Sequence, residues 1–429
     1  MFNGEVFYVQ TMKIKDLYDL YTLHFLVDTD TRRIRKNTLF FGLKGTHFNG
    51  NEFAEKALEM GASYAIVDQE KYVTHQHIIL VKNVLKTLQD LANYHRNILK
   101  IPIIGITGSN GKTTTKELLH ATLSKKYNTT ATKGNLNNHI GVPLTLLSMT
   151  PKTEIGIVEM GANHQKEIEF LCSICEPDYG YITNFGKAHL EGFGGFEGVI
   201  KGKSELYSFL KKNNKTAFIN PKDMLQVENT KNTTSISFPS HLKFSGANPY
   251  VKISFDGTQI ESHLIGNYNY TNIAIAATIA NYFKVSTVEI KNAIEHYIPE
   301  NNRSQIIKKQ SNHIILDAYN ANPSSMKVAI ENFKLMDQHK KTVILGDMFE
   351  LGASSLVEHQ IIIDLVEKLN FENAYFVGEN FYQTKANSQL FKTFEELFVT
   401  LKTNPLHNQL ILIKGSRGMQ LERLLAIID

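Results

Sequence analysis

Residues 101–127 read IPIIGITGSNGKTTTKELLHATLSKKY, and this stretch decides the fold around it. The apolar run 101–106 is typical of a buried parallel strand. A glycine-rich turn follows, Gly108-Ser109-Asn110-Gly111, and leucines then recur at helical spacing. A strand, a glycine loop and a helix in this order predict a nucleotide-phosphate cradle, because glycines let backbone N–H groups close around phosphate oxygens at a helix N-terminus.

The residues after the turn supply the phosphate chemistry. Lys112 is expected to reach the terminal phosphates and the Thr113 hydroxyl to bind Mg²⁺, with Thr114 completing the loop. The general pattern G-x-x-x-x-G-K-[ST] is incomplete, since Ile106 stands where its first glycine belongs. A bare glycine turn before a helix is the plain alternative, so the rest of the chain must decide what the phosphate is used for.

The composition is that of a globular protein with several domains. The 429 residues are enough for roughly two or three domains. A formal net charge of +4 is small for this length, and no basic stripe with interleaved aromatics points to nucleic acid. Because no apolar run reaches membrane-spanning length and the N-terminus lacks a signal-peptide core, we expect a cytoplasmic protein without a membrane span.

The two cysteines, Cys172 and Cys175, form a single CxxC without a second pair. A zinc or redox role is one interpretation. Two buried thiols on one helix face, in a reducing compartment, is the interpretation we favour.

Three α/β segments follow one another along the chain, which places it in the α/β class. Residues 1–11 precede a second methionine and resemble an extension. In the first segment the predicted strands are 38–43, 63–68 and 77–82, and the predicted helices are 51–60 and 83–99. In the last segment, strands 313–316, 342–345, 374–377 and 409–413 alternate with helices, a pattern that favours a doubly wound parallel sheet.

The middle segment carries the phosphate loop and two further strands that end in polar residues. Strand 154–160 ends at Glu159, and strand 179–184 is followed by His189. Ligands bind beyond the carboxyl ends of parallel strands, so Glu159 is a candidate Mg²⁺ ligand, with a satisfied strand-end carboxylate as the alternative. Strands 250–255 and 258–265 around Asp256-Gly257 predict a hairpin, expected as an antiparallel edge of this domain.

Seven segments together resemble the Mur ligase family. They are TGSNGKTT, TKGNLNNHIGVPLTLL, VEMGANH, ITNFGKAHLEGFGG, DAYNANPSSM, LGDMFELG and KGSRGM, and the resemblance runs from about Asp28 to the end of the chain. These enzymes add amino acids to the UDP-linked peptidoglycan precursor. The resemblance implies an N-terminal UDP-sugar-binding domain (1–100), a central P-loop ATPase domain with a mostly parallel sheet (101–300) and a C-terminal Rossmann-like domain (301–429).

The resemblance also implies the reaction and its participants. The last three segments point to UDP-N-acetylmuramoyl-tripeptide and D-alanyl-D-alanine as substrates, with ATP as the energy source. ATP converts the terminal carboxylate of the tripeptide to an acyl phosphate, which the amine of the dipeptide attacks. We expect a monomer.

Metal ligands follow from the resemblance as well. Glu159 and His189 match the family's metal-binding positions, and with the Mg²⁺ expected on Thr113 two ions are expected. Lys203 matches a lysine that the family often carries as a carbamate, whose formation needs a neutral amine. An ordinary surface lysine is the alternative for Lys203 and for its neighbour Lys201.

The remaining family positions bind the nucleotide and the two substrates. For ATP they are Asn269, Asn272, Arg303 and Asp317, although Tyr268 replaces the usual histidine and Leu316 replaces a second aspartate. For the UDP end they are Thr31, Arg32, Lys44 and Gly45, and Asn49 and Asn51 stand where the family has an aspartate and a histidine. For the substrates in the cleft they are Asn137, Asn138, His139, Asn320, Asn322, Lys414, Ser416 and Arg417, and Arg417 is expected to hold the dipeptide carboxylate.

Two other classes of function fit part of these patterns. One is a sister ligase for D-glutamate or a diamino acid, or a folylpolyglutamate synthase; NANP in place of an AHNP-like segment argues against it. The other is a phosphate-binding module or an NTP-dependent switch without ligase chemistry. Lys203 and His189 argue against the second class, because nucleotide binding alone does not require them.

Overall fold

The computed structural model describes residues 12–299, 305–337 and 340–428 of the chain. These residues form two compact units. The first contains residues 12–106, 127–161 and 169–180, and the second contains the remaining described residues. The helices are α1 (Ile14–Tyr21), α2 (Ala54–Glu59), α3 (Val84–Leu99), α4 (Lys112–Leu123), α5 (Gly141–Leu146), α6 (Glu167–Cys175), α7 (Leu190–Phe193), α8 (Phe196–Lys212), α9 (Met224–Asn229), α10 (Asn269–Tyr282), α11 (Thr287–His296), α12 (Pro323–Leu335), α13 (Ser355–Leu369), α14 (Glu379–Tyr382) and α15 (Phe394–Thr403).

The strands confirm the α/β class. They are β1 (Val27–Asp28), β2 (Leu39–Phe41), β3 (Lys44–Gly45), β4 (Phe48–Asn49), β5 (Tyr64–Val67), β6 (Ile78–Leu80), β7 (Ile103–Thr107), β8 (Thr129–Ala131), β9 (Ile155–Glu159), β10 (Tyr179–Ile182), β11 (Thr216–Ile219), β12 (Thr234–Ser237), β13 (Leu242–Ala247), β14 (Tyr250–Phe255), β15 (Thr258–Ile265), β16 (Gln305–Lys309), β17 (Asn312–Asp317), β18 (Lys341–Gly346), β19 (Asn373–Val377), β20 (Gln389–Phe391) and β21 (Leu410–Lys414).

The first unit contains a four-stranded parallel sheet of order β1-β2-β5-β6. Phe40, Ala65 and Val67 are buried in its core, where α2 packs through Ala57. In the same unit β9 pairs in parallel with both β7 and β8. The strands predicted from the apolar runs of this part of the chain are confirmed. The predicted helix 51–60 instead begins as a 3₁₀ turn (Gly50–Phe53) before α2.

The second unit ends in a six-stranded sheet of order β16-β17-β21-β18-β19-β20. Its strands are parallel except β16, which runs antiparallel to β17. The predicted doubly wound sheet is therefore confirmed, with β16 as an antiparallel edge. Because β17 and β21 are neighbours in register, Asp317 lies opposite Lys414 at their carboxyl ends.

The hairpin around Asp256-Gly257 is confirmed, and both residues have positive φ (48° and 75°). Its antiparallel pairing is as expected, but among the described residues it does not pair with the parallel strands of the middle segment. β14 and β15 belong to a separate antiparallel sheet with β13. Val251, Ile253 and Phe255 are buried while the residues between them are partly exposed, so only one face of β14 is apolar. An antiparallel sheet of this kind can pack one face against helices and leave its other face in solvent.

Cys172 and Cys175 confirm the prediction of buried thiols. Both lie fully buried on α6, and their sulfurs contact Met160 Sδ at 3.9 and 3.7 Å. Burial raises the pKa of the Cys175 thiol to about 12. No helix in the described ranges has the length and apolar character required to cross a membrane.

Candidate active site

The loop between β7 and α4 has the backbone that its glycines predict. Gly108 has φ +137° and Gly111 has φ +80°, in the region that side chains disfavour. A Cβ on Gly108 would lie 2.0 Å from Thr183 Oγ1, and one on Gly111 would lie 2.7 Å from Asn272 Oδ1. Both positions therefore require glycine for conformation and for space.

The segment after β10 holds the loop in place. Ser109 N donates to Asn184 O at 3.0 Å, and its hydroxyl donates to Gly186 O at 2.8 Å. Asn110 N donates to Asn184 Oδ1 at 3.1 Å, and Thr183 Oγ1 donates to Asn110 O at 2.5 Å. The segment after β10 thus fixes the backbone of the loop.

Lys112 and Thr113 begin α4 at the end of the loop. Lys112 Nζ donates to Gly108 O at 2.7 Å and to Ser109 O at 3.3 Å, so the ammonium lies against the loop. Thr113 is buried in the first helical turn, and Thr114 is partly buried beside it. The positive end of the α4 dipole and the Lys112 charge together favour an anion here.

Asn269 and Asn272 link α10 to α4, the helix that follows the phosphate loop. Both are buried near the start of α10. Asn272 Oδ1 accepts from Thr115 Oγ1 at 3.1 Å, and Asn272 Nδ2 donates to Asn269 Oδ1 at 2.8 Å. Asn269 Nδ2 in turn donates to Ile265 O at 2.8 Å. These bonds tie α10 to α4, and the predicted contacts with the nucleoside stay a prediction.

Lys203 is fully buried on α8. Its Nζ donates to Ala162 O at 3.0 Å and lies 4.9 Å from the centre of the Phe193 ring. Burial, with a smaller contribution from the charge of Lys112, lowers the pKa of Lys203 well below its usual value. A lowered pKa favours the neutral amine that carbamate formation requires. Lys203 is therefore not an ordinary surface lysine, and its carbamate stays a prediction.

His189 contacts a carboxylate from the third segment of the chain. Its Nδ1 bonds to Oε2 of Glu350, and this hydrogen bond holds the pKa of Glu350 below its usual range. Close by, Lys187 Nζ donates to Glu358 Oε1 at 2.5 Å, and Lys187 N donates to Ser324 Oγ at 2.8 Å. The His189–Glu350 hydrogen bond and the Lys187–Glu358 ion pair thus join the segment after β10 to the segment that contains α13, and the Lys187–Ser324 bond joins it to α12.

The second unit contains a pocket of about 100 Å³, and Asp317 and Tyr268 belong to its lining. Ile315, Phe333 and Met336 give the pocket an apolar wall. Apolar walls with a carboxylate suit a nucleoside, whose base is flat and apolar on its faces and whose ribose hydroxyls donate to a carboxylate.

Asp317 and Lys414 form an ion pair at the carboxyl ends of β17 and β21. The Lys414 side chain is only 2% exposed, and its Nζ also donates to Asn320 O at 3.2 Å. The predicted ribose carboxylate and a predicted substrate lysine are therefore directly paired.

The other predicted residues of the third segment border this pair. Asn322 caps α12, with its Oδ1 accepting from Ser325 N at 2.9 Å, and its Nδ2 donates to Asn110 Oδ1 at 2.7 Å. Ser416 Oγ accepts from Phe349 N at 3.0 Å. Arg417 is exposed, with its guanidinium 5.7 Å from the ring centre of Tyr319.

In the first unit Glu159 ends β9 as a buried carboxylate. Asn137 Nδ2 donates to Glu159 Oε1 at 2.8 Å, which fixes the direction of the carboxylate. Asn138 Oδ1 accepts from the backbone N of residues 140 and 141 at the start of α5, and His139 O accepts from Gln89 Nε2 at 3.0 Å. Asn137 thus acts on Glu159, while Asn138 and His139 O support the local fold.

The residues predicted for the UDP end lie in two places of the first unit. Thr31 and Arg32 belong to a 3₁₀ turn, and Arg32 pairs with Asp30 while remaining 87% exposed. Lys44 and Gly45 form β3, and Lys44 Nζ lies 3.1 Å from Asp68 Oδ1.

Asn51 is a buried structural residue. Its Oδ1 accepts from Asp68 N at 2.7 Å and its Nδ2 donates to Asp68 Oδ1 at 3.1 Å. Asn49 Oδ1 accepts from Asn51 Nδ2 at 2.9 Å. Asp68, which sequence reasoning missed, therefore links Asn51 to the predicted UDP-binding Lys44.

Two predicted features remain without a structural test. Arg303 lies outside the described residues. Within the described ranges no group of three or more His, Cys, Asp and Glu side chains is arranged to hold a metal ion. The predicted donor set includes a threonine hydroxyl and a modified lysine, which are not among these residue types.

Comparison with known families decides the identity of the fold. The family model described as "Mur ligase middle domain" matches residues 106–280. The model "Mur ligase, glutamate ligase domain" matches 302–417, and "Mur ligase family, catalytic domain" matches 22–103. The chain belongs to the Mur ligase family.

Individual Mur ligases match along nearly the whole chain. UDP-N-acetylmuramoyl-tripeptide--D-alanyl-D-alanine ligase of Bacillus subtilis is 33% identical over 422 residues, covering 93% of this chain and 92% of the relative. A crystal structure of MurF from Acinetobacter baumannii superposes with a TM-score of 0.82 at 30% identity, covering 93% of this chain and 92% of that one. MurF ligase from Thermotoga maritima in complex with ADP gives 0.83 at 27% identity, covering 97% and 98%.

Several residues of this Mur ligase site were missed by sequence reasoning. Thr183 and Asn184 are the polar end of a predicted strand without an expected role, yet they hold the phosphate loop. Glu350 lies in the segment LGDMFELG, whose resemblance to the family implies no role for this residue. Its contact with His189 joins residues 161 positions apart, so sequence spacing carried no signal for it.

Proposed function

We propose that this Mur ligase joins D-alanyl-D-alanine to UDP-N-acetylmuramoyl-tripeptide and releases ADP and phosphate, in the synthesis of the peptidoglycan precursor. The observation that carries the proposal is the combination, in one unit, of a phosphate loop with the fully buried Lys203. The names of the curated relatives and the ADP complex of a neighbouring structure support the same substrates and nucleotide.

A carboxylate is a poor electrophile, so the chemistry needs an activated acyl group. The carboxylate of the tripeptide attacks the γ-phosphorus of ATP, which forms an acyl phosphate and expels ADP. The dipeptide amine then attacks the acyl carbon, and phosphate leaves from the tetrahedral intermediate as the C–N bond forms. Catalysis of this kind depends on positioning and on neutralising charge.

The phosphate loop is expected to position the transferred group. The N-terminus of α4 directly follows the loop and its dipole favours an anion there, and Lys112 can move its Nζ from two loop carbonyls to the γ-phosphate. The structure supports this through a loop whose backbone is already fixed by Thr183 and Asn184. Less reorganisation is then needed when ATP binds.

Thr113, His189 and Lys203 are the residues of the second unit that would hold Mg²⁺, with Lys203 as a carbamate. The hydroxyl and the carbamate oxygens are the hard oxygen donors that Mg²⁺ prefers, and His189 would add one imidazole nitrogen. Mg²⁺ held there would neutralise phosphate charge during transfer. Glu159 stays a predicted ligand, and Asn137 fixes its carboxylate.

The nucleoside part of ATP is proposed to occupy the pocket lined by Tyr268 and Asp317, with Asp317 on the ribose hydroxyls. Asn269, Asn272 and Arg303 keep their predicted roles toward the nucleotide. The dipeptide and the acceptor peptide are assigned to a set of polar residues on two parts of the chain. This set is Asn137, Asn138, His139, Asn320, Asn322, Lys414, Ser416 and Arg417.

The UDP end of the acceptor is assigned to Thr31, Arg32, Lys44 and Gly45. The exposure of the Arg32 side chain supports this assignment, because its guanidinium can reach a ligand. The Lys44 side chain, in the β3–β4 hairpin, is also partly exposed and carries a positive charge. We further propose a division into domains 1–100, 101–300 and 301–429, a monomeric state and a cytoplasmic location.

Phosphate release in a panel of acceptors and amines tests the proposal. Release should require ATP, UDP-N-acetylmuramoyl-tripeptide and D-alanyl-D-alanine together, with lysine or meso-diaminopimelate as the third residue of the tripeptide in parallel reactions. Release with D-glutamate, a free diamino acid or a folate in place of the dipeptide would assign a sister function. Release with ATP alone would assign an NTP-dependent switch.

A further inference from the structure

Glu350 reaches His189 from the loop between β18 and α13, and the backbones of the two segments also meet. Glu191 N donates to Glu350 O at 3.3 Å. Gly352 lies so close that a Cβ there would be 3.2 Å from the side chain of Glu191. The carboxylate of Glu350 is therefore delivered to His189 by a docked segment, which we call the arm (residues 347–352).

The arm is fixed at its base by buried polar groups. Asp347, which is buried, accepts from Asn380 N at 2.9 Å and from Phe381 N at 3.0 Å. His359 Nε2 accepts from Met348 N at 3.0 Å, and Ser416 Oγ accepts from Phe349 N at 3.0 Å. The backbone before Glu350 thus has little freedom to move away from His189.

Both partners of the contact have a backbone that side chains disfavour. His189 has φ +52° and Glu350 has φ +61°, in the left-handed region. Such conformations persist where the surrounding structure holds them, and they concentrate at functional sites. The left-handed turn at Glu350 directs its carboxylate to the imidazole.

The contact selects one of the two ring nitrogens of His189. With Glu350 accepting at Nδ1, that nitrogen carries the proton and Nε2 carries the lone pair. In the described part of the chain, Nε2 has no hydrogen-bond partner. A carboxylate that holds the far nitrogen of a histidine is the usual support for a metal-ligating imidazole.

We propose that Glu350 is a positioning residue that presents Nε2 of His189 to a divalent cation, so that cation binding depends on the docked arm. The inference rests on the proposed function, in which His189 is a metal ligand. It predicts that Glu350 acts on metal affinity itself, and not only on the docking of the segments.

The Lys187–Glu358 pair provides a matched control. It joins the same two parts of the chain, with Nζ 2.5 Å from Oε1, but it does not touch His189. Glu358→Gln therefore weakens docking and leaves the histidine untouched. Glu350→Ala removes the acceptor from His189, and Glu350→Gln keeps an acceptor oxygen there.

The experiment measures Mn²⁺ binding to the full-length protein with a non-hydrolysable ATP analogue, from the electron paramagnetic resonance signal of free Mn²⁺. Loss of a group that supports a metal-ligating histidine typically weakens affinity about 10- to 100-fold, and we expect this for Glu350→Ala. Glu350→Gln should recover most of the affinity, and Glu358→Gln should bind Mn²⁺ like wild type. Thermal unfolding followed by circular dichroism verifies that each variant is folded.

Three results would overturn the proposal: wild-type Mn²⁺ affinity in Glu350→Ala, an equal loss in Glu358→Gln, or wild-type affinity in His189→Ala. The last result removes the metal role of His189 as well. The acceptor panel measured by phosphate release reports separately on the proposed function, so a failure here is distinguishable from a failure there.

Discussion

Asn322 Nδ2 donates to Asn110 Oδ1 at 2.7 Å, which joins the cap of α12 to the phosphate loop. Asn110 is held at the same time through its backbone by Thr183 and Asn184. The loop therefore takes its position from its own glycines, from the segment after β10 and from a residue 212 positions further along the chain.

Asn322→Ala should disturb catalysis beyond its effect on stability. Loss of an N-cap costs about 1 kcal/mol, and a displaced phosphate loop should lower kcat by about 10- to 100-fold. Thr393→Ala is the matched control, because Thr393 caps α15 in the same manner and is not part of the proposed site. Urea unfolding and initial rates should show equal stability losses in both variants, with a rate loss in Asn322→Ala alone. Equal rates in the two variants would refute a role for the Asn110–Asn322 bond.

Gly108→Ala should abolish activity because of a collision as well as backbone strain. A Cβ at Gly108 would lie 2.0 Å from Thr183 Oγ1. Gly257 also has positive φ but has no atom within 4 Å of its Cβ position, so Gly257→Ala measures strain alone, about 1 kcal/mol. ATP binding followed by calorimetry should be lost in Gly108→Ala and retained in Gly257→Ala. Retained ATP binding in both would show that the loop tolerates the side chain.

Lys203→Ala should lose ligase activity and recover part of it when short carboxylic acids are added, since these can replace the carbamate oxygens. The exposed neighbour gives the control: Lys201→Ala should retain activity without any acid. Initial rates with and without the acids measure the effect. Absence of rescue in a folded Lys203→Ala protein would count against the carbamate.

Asp317→Ala should raise the KM for ATP more than the KM for the dipeptide. Loss of hydrogen bonds to a charged group corresponds to about a 10- to 100-fold change. The variant also leaves buried Lys414 without its carboxylate partner, which is expected to cost about 3–5 kcal/mol of stability.

A double variant separates these two effects of Asp317. Asp317→Ala with Lys414→Met should recover stability in urea unfolding, while the KM for ATP remains raised. A larger rise in the KM for the dipeptide than for ATP in Asp317→Ala would place the ribose elsewhere.

The two thiols should be inert in the native protein. Cys172 and Cys175 are buried, and burial raises the pKa of Cys175 to about 12, so little thiolate forms at neutral pH. An aromatic disulfide reagent should react with neither thiol in buffer and with both in guanidinium chloride. Rapid reaction in buffer would favour the redox interpretation of the CxxC.

The sequence predicted the strands of this fold well because buried parallel strands are continuous apolar runs. Residues 101–106 and 154–160 are such runs, and both became β7 and β9 with small shifts at their ends. β13 was missed, since several of its residues are exposed and its sequence has little apolar character. The hairpin was predicted from Asp256-Gly257, but local turn chemistry does not determine which sheet a hairpin joins.

In the candidate site, too, local features were predictable from the sequence and long-range contacts were not. Gly108, Gly111 and Lys112 lie in one local pattern, so a single stretch of sequence was sufficient to predict the loop. The pairs Asn110–Asn322, His189–Glu350 and Asp317–Lys414 are each separated by about a hundred positions or more. Their contacts arise from tertiary packing, which a single sequence does not encode at any fixed spacing. Asn51 shows another limit of sequence reasoning. This polar residue was predicted near a ligand, but it is buried and its side chain binds Asp68.

Oxygen-isotope transfer tests the central claim of acyl-phosphate chemistry most directly. The tripeptide carboxylate is labelled with ¹⁸O, the reaction is run with ATP and D-alanyl-D-alanine, and the released phosphate is analysed by mass spectrometry. The bridging oxygen of an acyl phosphate comes from the carboxylate and leaves with the phosphate, so each phosphate should carry one labelled oxygen. Unlabelled phosphate formed alongside ADP would show that water attacks ATP directly, which would contradict the ligase mechanism.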